Sequence, residues 1–302
     1  MPKVLDWLLN SDPAVRWQVL RDLADAPDEV VAAERARIAT VGFGARLLSL
    51  QAPDGQWGGG TYFPLWTSTA WTLMLLRDFG FMPTSPEARQ ALRRVRQYSR
   101  WDGQQPFFEG ETEPCVNGMA VAIGAYFGED VQSVVARLLD EQMRDGGWNC
   151  EQENGSTRGS FHTTIDVLEG LLEYERAFGP DAALTAAQRG GQAYLLERRM
   201  LRRKSTGDVI DPDWTRFSFP TRYFYDLLRG LDYLRSARVT PDERVCEAID
   251  LVRQKRSAEG FWLLENTHPG DVHFAIDDGQ GKPSRWNTLR CLRVLRWYDG
   301  HP

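Results

Sequence analysis

Residues 136–151 read ARLLDEQMRDGGWNCE, and this stretch decides the fold of the 302-residue chain. It predicts an amphipathic helix, a Gln-containing turn in which glycine ends the helix, and then an aromatic residue. Two further stretches align with it, ARLLSLQAPDGQWGGG at residues 45–60 and AIDLVRQKRSAEGFWLLE at residues 248–265. Residues 93–110 and 190–211 hold two weaker copies. The chain is therefore built from repeated units.

Each turn is followed by a second stretch with helical periodicity that is rich in apolar and small residues. The five stretches are LWTSTAWTLMLLRDFG, EPCVNGMAVAIGAYFG, SFHTTIDVLEGLLEYE, RYFYDLLRGLDYLRS and SRWNTLRCLRVLRWY. A helix pair of this kind cannot bury its apolar face alone, so neighbouring pairs must stack, with the more apolar second helices inside.

An open stack would have polar repeats at its ends, whereas the last stretch here is as apolar as the middle ones. We therefore predict an all-α fold, an α/α toroid in which about five to six helical hairpins close into a ring; an open α-solenoid is the alternative. Residues 1–302 form one domain, in which residues 1–40 are an N-terminal helical hairpin that flanks the toroid of residues 41–302.

The composition is that of an ordinary water-soluble protein, with 42% hydrophobic and 26% charged residues. A formal net charge of −6 argues against nucleic-acid binding, which needs a basic surface. The sequence shows neither an apolar run of ~18 residues nor the order of a signal peptide. We expect a cytoplasmic protein without stable membrane insertion that binds a small-molecule substrate; a protein partner or a homodimer is compatible with the sequence.

Cys115, Cys150 and His162 lie at the starts of two consecutive repeats. Pro114 suits the first position of a helix and Ser160 suits an N-cap, so Cys115 and His162 are expected near the beginnings of their helices. Zinc prefers such S, N and O ligands. The alternative is that the thiols are small buried hydrophobes and that His162 is a hydrogen-bonded core residue.

The turns resemble the QW motifs of squalene and oxidosqualene cyclases, and the likeness covers roughly residues 45–298. The same α/α toroid is found in protein prenyltransferase β-subunits, which bind zinc through an Asp-x-Cys at the start of one inner helix and a His at the start of the next. Glu113-Pro114-Cys115 resembles the first element, with Glu in place of Asp, and SFHTTIDVLEGL resembles the second, with His162 as ligand.

This resemblance implies a Zn²⁺ site of Glu113, Cys115 and His162, to which Cys150 adds a second sulfur. Cys150 departs from the prenyltransferase pattern. A site with all four ligands would be closed and structural, whereas two cysteines, the histidine and a water would leave a position open for catalysis.

The substrate-binding candidates are Trp66, Arg222, Tyr223 and Trp286, which we place at or beside the mouth of a central aromatic-lined cavity. Asp166 lies one helical turn after His162 and is the catalytic candidate, as a general base or as an ion-pair partner. An arginine-rich stretch, ERRMLRRKSTGDV, is interpreted as a solvated helix face that could instead hold an anion.

These observations predict a zinc-dependent, transferase-like or lyase-like enzyme that acts on a small organic molecule, with isoprenoids as one candidate class. A terpenoid cyclase without the usual Asp-rich acid motif is a second reading, in which Asp277 and Asp278 would be required for turnover. A non-catalytic toroid, with a structural zinc or none, is a third.

Overall fold

The computed structural model describes residues 2–300, and it confirms the all-α fold. The α-helices are α1 (Pro2–Leu9), α2 (Pro13–Asp22), α3 (Asp28–Ala36), α4 (Gly42–Ser49), α5 (Thr69–Phe79), α6 (Pro86–Tyr98), α7 (Pro114–Phe127), α8 (Gln132–Asp140), α9 (Phe161–Phe178), α10 (Ala182–Glu197), α11 (Leu227–Ser236), α12 (Cys246–Gln254) and α13 (Arg285–Tyr298). Short 3₁₀ turns and isolated β-bridges complete the regular structure of these residues.

Local sequence sets many of the helix ends. The side chain of Ser160 accepts a hydrogen bond from the third residue of α9, as an N-cap does. Pro114 occupies the first position of α7, where a missing backbone N–H costs nothing. Gly128 ends α7 in the left-handed conformation at φ 75°. Each repeat is thus delimited by its own residues.

A repeated tryptophan joins each outer helix to the inner helix that follows it. In all three strong copies the indole N–H donates a 2.7 Å hydrogen bond to a carbonyl ten residues earlier; the pairs are Trp57–Leu47, Trp148–Leu138 and Trp262–Val252. The backbone N–H of the same tryptophan donates to a threonine of the next inner helix; these are Thr69, Thr164 and Thr288. The three stretches that the sequence aligns therefore make the same two tryptophan hydrogen bonds.

The glutamine of the turn joins neighbouring outer helices. Gln51 donates to the Ala91 carbonyl on α6, at 3.2 Å, and Gln142 donates to the Ala187 carbonyl on α10, at 2.8 Å. In the third copy Arg256 stands at this position, and its guanidinium lies over the Trp262 ring, 5.4 Å from the centroid. The lateral bond is therefore a feature of the first two strong copies.

The inner helices contact one another in a cycle. The order of contacts runs through α2, α5, α7, α9, α11 and α13, and α13 packs back on α2. Arg293 of α13 donates to Gln18 at 2.6 Å and pairs with Asp22. Trp17 donates to the Phe79 carbonyl at the end of α5, at 2.8 Å.

Helix α2, which belongs to the predicted N-terminal hairpin of residues 1–40, contacts two inner helices. Its side chains bind both neighbouring inner helices, so it supplies the sixth inner position. No helix of residues 2–300 has the length and apolar character needed to cross a bilayer.

The closest helix contact lies between α7 and α9. A Cβ added to Gly118 would lie 2.6 Å from the backbone carbonyl of Asp166, and one added to Gly170 would lie 2.4 Å from the Gly118 oxygen. Only glycine allows backbones to approach in this way. This contact sets the spacing of the two helices that carry the predicted site.

A candidate metal centre beside a charged cavity

The thiols of Cys115 and Cys150 meet at the interface of the α7 and α9 repeats. Cys115 is the second residue of α7, and Cys150 begins the 3₁₀ turn Cys150–Gln152. Their Sγ atoms lie 2.6 Å apart, well inside the contact distance of two unbonded sulfurs, and the Cys115 Sγ lies 3.5 Å from Glu113 Oε2. One ligand atom from each of these three residues lies within 4.8 Å of the others, so the group could hold a metal ion.

A buried asparagine and an arginine hold the segment that precedes α7. The Asn117 side chain accepts a hydrogen bond from the Glu111 N–H and donates one to its carbonyl, at 2.7 and 2.8 Å. Arg137 donates to the carbonyls of Glu111 and Thr112, at 2.8 Å each. These bonds satisfy backbone groups that α7 cannot reach and thereby fix the position of Glu113.

Cys150 is held against the first turn of α9. The Ser160 N–H donates to the Trp148 carbonyl at 2.7 Å, which brings the two ends of this loop together. The Cys150 N–H donates to the Thr163 hydroxyl at 3.4 Å. The tryptophan that defines the repeat thus also places the second thiol.

The pKa values of the two thiols are shifted in opposite directions. The hydrogen bond shared with Cys115 lowers the pKa of Cys150, whereas the same bond, followed by burial, raises the pKa of Cys115. The negative charges of Asp166 and Glu113 raise the pKa of Cys115 further. Cys150 is therefore the thiol that favours the thiolate form, which binds metals and attacks electrophiles.

The hydrogen bond that His162 accepts does not suit its predicted role as a metal ligand. Its Nδ1 accepts a 2.7 Å bond from the backbone N–H of Tyr225. Burial lowers the pKa of His162, so the ring is neutral and its proton resides on Nε2. Neither nitrogen then has a free lone pair. His162 also lies outside the metal-ligand cluster found among the described residues. It packs edge-on against Trp214 and Phe224 instead.

Asp166 is buried on the inner face of α9 and pairs with an arginine. Its Oδ1 accepts a 2.6 Å hydrogen bond from Arg229, while its Oδ2 has no partner among the described residues. Burial raises the pKa of Asp166 to about 7, against the opposing effect of Arg229. A carboxyl group with a pKa near neutrality and one free oxygen can exchange protons at physiological pH.

Asp166 and Cys115 line the same small cavity, together with Tyr62, Tyr223 and Arg222. Trp71, Met74 and Arg222 belong both to this cavity and to a much larger one in the centre of the helix cycle. Asp166 and Cys115 therefore border one small space, which adjoins the central cavity.

The central cavity has a volume of about 970 Å³, large enough for a small organic molecule. The prediction of an aromatic-lined cavity was incomplete. Trp71, Trp286 and Phe219 do contribute, but half of the lining residues are arginines, aspartates and glutamates. The inner helices carry these charges on the faces that the sequence pattern assigned to the core.

The substrate-binding candidates have different positions. Trp286 lines the central cavity, Tyr223 lines the small one, and Arg222 lines both. Trp66 lines neither of these two; it is buried and donates to the Pro269 carbonyl at 2.9 Å. Its ring instead lies 5.1 Å from the guanidinium carbon of Arg222, so it supports a cavity residue.

Asp277 and Asp278 lie away from these spaces. Neither lines the two cavities described above. Asp278 pairs with Arg285 at 3.3 Å, and Asp277 accepts a hydrogen bond from the backbone N–H of Arg285. These bonds suit a residue pair that shapes the loop before α13.

Sequence reasoning missed the arginines of the inner helices, among them Arg77, Arg229, Arg290 and Arg293. The available signal was an arginine inside an otherwise apolar helical stretch, as in TLRCLRVLR of α13. The arginine-rich stretch ERRMLRRKSTGDV lies elsewhere: its Arg202 pairs with Glu247 on the outside of the molecule.

Comparison of the sequence with known protein families gives no family that matches, and no characterised protein matches it.

Proposed function

We propose that the protein is a zinc-dependent enzyme in which Glu113, Cys115 and Cys150 hold the metal. The observation that carries the proposal is the convergence of two thiols and one carboxylate within 4.8 Å of one another. The chain brings them from two repeats and fixes the two segments with partly buried hydrogen bonds. A bound metal cation would neutralise the negative charge that these groups carry when the thiols ionise.

The donor set suits zinc. Tetrahedral zinc with S and O ligands at about 2.3 and 2.0 Å separates them by about 3.5 Å, which equals the distance between Cys115 Sγ and Glu113 Oε2. The two sulfurs would have to separate by about 1 Å, which rotation of the half-buried Cys150 side chain can provide. Three protein ligands leave the fourth position open, the arrangement of catalytic sites.

Zinc, when bound, would supply a Lewis acid that makes a nucleophile available at neutral pH. Asp166 would take the proton from the reacting group, since its Oδ2 has no hydrogen-bond partner among the described residues and Asp166 borders the small cavity that Cys115 also lines. Arg229 would hold the carboxylate in place through Oδ1. The small organic substrate would occupy the central cavity and extend past Arg222 to the thiols. The charge of that cavity makes an isoprenoid chain a poor occupant.

A structural zinc is the second candidate, and it needs a fourth protein ligand. His162 is the one predicted ligand outside the cluster, and the use of its Nδ1 by the Tyr225 N–H disfavours it as the fourth ligand. The cyclase reading loses support because Asp277 and Asp278 lie outside the cavities.

Metal analysis of the protein purified under reducing conditions tests the proposal. We expect about one equivalent of zinc, and loss of most of it in Cys115→Ser and Cys150→Ser. Cys246→Ser is the matched control, because Cys246 bonds with Tyr298 in another repeat. A wild-type protein that cannot retain zinc would refute the proposal.

His162→Gln separates catalytic from structural zinc, because glutamine can still accept the Tyr225 N–H. We expect this variant to keep its zinc. Loss of zinc from a folded His162→Gln protein would favour a closed four-ligand site.

A further inference from the structure

The central cavity carries an excess of positive charge. Its lining contains ten arginines and six carboxylates, whereas the whole chain has a formal net charge of −6. The arginines are Arg21, Arg35, Arg77, Arg176, Arg222, Arg229, Arg235, Arg238, Arg290 and Arg293. Charges of one sign in a low-dielectric cleft reinforce one another and attract the opposite charge. Arg21, Arg176 and Arg238 are exposed, so the less exposed part of the lining holds seven arginines and six carboxylates.

Arg222 is the buried member of this set that has no carboxylate partner. It is 8% exposed, and among the described residues its guanidinium makes neither an ion pair nor a hydrogen bond; it lies over the Trp66 ring. Burial lowers the pKa of Arg222 to about 10. Such a group is costly to bury unless an anion compensates it. Arg222 lies where the central cavity meets the small one.

Two other lining arginines have spare hydrogen-bond donors. Arg77 pairs with Asp78 and Glu169, but its Nη1 has no partner within the described part of the chain. Arg293 pairs with Asp22, and its Nε likewise lacks a partner there. Donor capacity therefore exceeds the acceptors that the protein itself supplies. Planar guanidinium groups with free N–H donors are the preferred ligands of phosphate and carboxylate oxygens.

We propose that the central cavity binds a small polyanion, a molecule with two or more phosphate or carboxylate groups, and that Arg222 is one of its ligands. If the protein is the proposed enzyme, this anion is the substrate of the thiol site; only this identification rests on the proposed function. Binding itself needs no metal, so the two proposals can fail separately.

Isothermal titration calorimetry with pyrophosphate and with citrate tests the inference, at an ionic strength of about 50 mM so that screening is weak. We expect one site with a Kd below about 1 mM for at least one anion, and the tighter of the two identifies phosphate or carboxylate as the preferred group. Arg222→Gln should weaken this binding about ten-fold or more, because it removes charge-assisted hydrogen bonds. Arg222→Lys should weaken it less.

Arg89→Gln is the matched control, since it makes the same change of charge at an exposed position of α6. Without ligand, Arg222→Gln should be at least as thermally stable as the wild type, because it removes a buried unpaired charge. The inference is overturned if neither anion binds, or if Arg89→Gln weakens binding as much as Arg222→Gln does. Cys115→Ser should bind the anion normally even if it loses zinc; an anion that binds only with the metal present would also overturn the inference.

Discussion

Gly118 and Gly170 face each other so closely that a methyl group on Gly170 would lie 2.4 Å from the Gly118 carbonyl oxygen. This contact brings α7 against α9 along the segment that begins with the site. Cys115 precedes Gly118 by one helical turn, and Cys150 is bonded to the first turn of α9. The distance between the thiols thus depends on glycines that have no chemistry of their own.

Gly118→Ala should destabilise the protein and disturb the thiol site. The added methyl would lie 2.6 Å from backbone atoms of Asp166, which cannot move aside as a flexible side chain can. We expect a loss of about 1–3 kcal/mol in the free energy of unfolding, measured by denaturant titration, together with weaker zinc retention. Gly124→Ala is the control on the same helix, because its methyl would meet Val131 rather than α9. Equal zinc loss in both variants would contradict this account.

Cys150 should react with iodoacetamide before Cys115 in metal-free, reduced protein at neutral pH. The hydrogen bond between the two thiols lowers the pKa of Cys150 and raises that of Cys115, so Cys150 has the larger thiolate fraction. Peptide mapping of partially alkylated protein gives the order. In Cys150→Ser the bond that raises the pKa of Cys115 is changed, and Cys115 should react faster than in the wild type. If Cys115 is modified before Cys150 in the wild type, the assignment of the lower pKa to Cys150 is wrong.

The free energy of unfolding should fall as pH rises from about 4 to 7 because of Asp166. Folding raises the pKa of Asp166 from 3.8 to about 7, chiefly through burial. A raised carboxyl pKa contributes stability that is complete below the unfolded-state pKa and is lost as pH rises through the folded-state pKa. At about 1.4 kcal/mol per pKa unit the loss is on the order of 4 kcal/mol.

Asp166→Asn cannot titrate and provides the comparison. Chemical denaturation at a series of pH values measures the free energy of unfolding of both proteins. That of Asp166→Asn should not decrease in this way, so the curves of the variant and the wild type should diverge between about pH 4 and 7. Parallel curves would mean that Asp166 ionises normally, and its proposed role in proton transfer would then lose its basis.

Gln142→Ala should reduce the free energy of unfolding by about 1–3 kcal/mol, because it removes the side-chain donor that joins backbone carbonyls of two repeats. Gln142 donates to the carbonyls of Gly146 and Ala187, at 2.8 Å each. Gln90→Ala, at an exposed position of α6, serves as the reference in urea titrations. If the Gln142 variant is as stable as the Gln90 variant, the turn glutamine does not stabilise the contact between the repeats.

The sequence alone determined the repeated units. The spacing of apolar residues fixed the helices, and the Gln, Gly and Trp of each turn fixed where they end, because these are local preferences of the backbone. It also predicted that Cys115 and His162 are neighbours, because the starts of consecutive inner helices come together when the repeats stack. The resemblance to prenyltransferases added Glu113, and the position of Cys150 in the intervening loop added the second thiol. The metal and the reaction remain proposals.

Only the tertiary structure decided the orientation of His162 and the charge of the cavity. The Tyr225 N–H that occupies Nδ1 of His162 comes from a loop 63 residues away, and helix periodicity says nothing about such a contact. The cavity arginines are scattered over the inner helices and the loops between them, where each one reads as a single cation on an apolar face. They line one cavity only because the helices contact one another in a cycle, so that arginines far apart in the sequence lie close together in space.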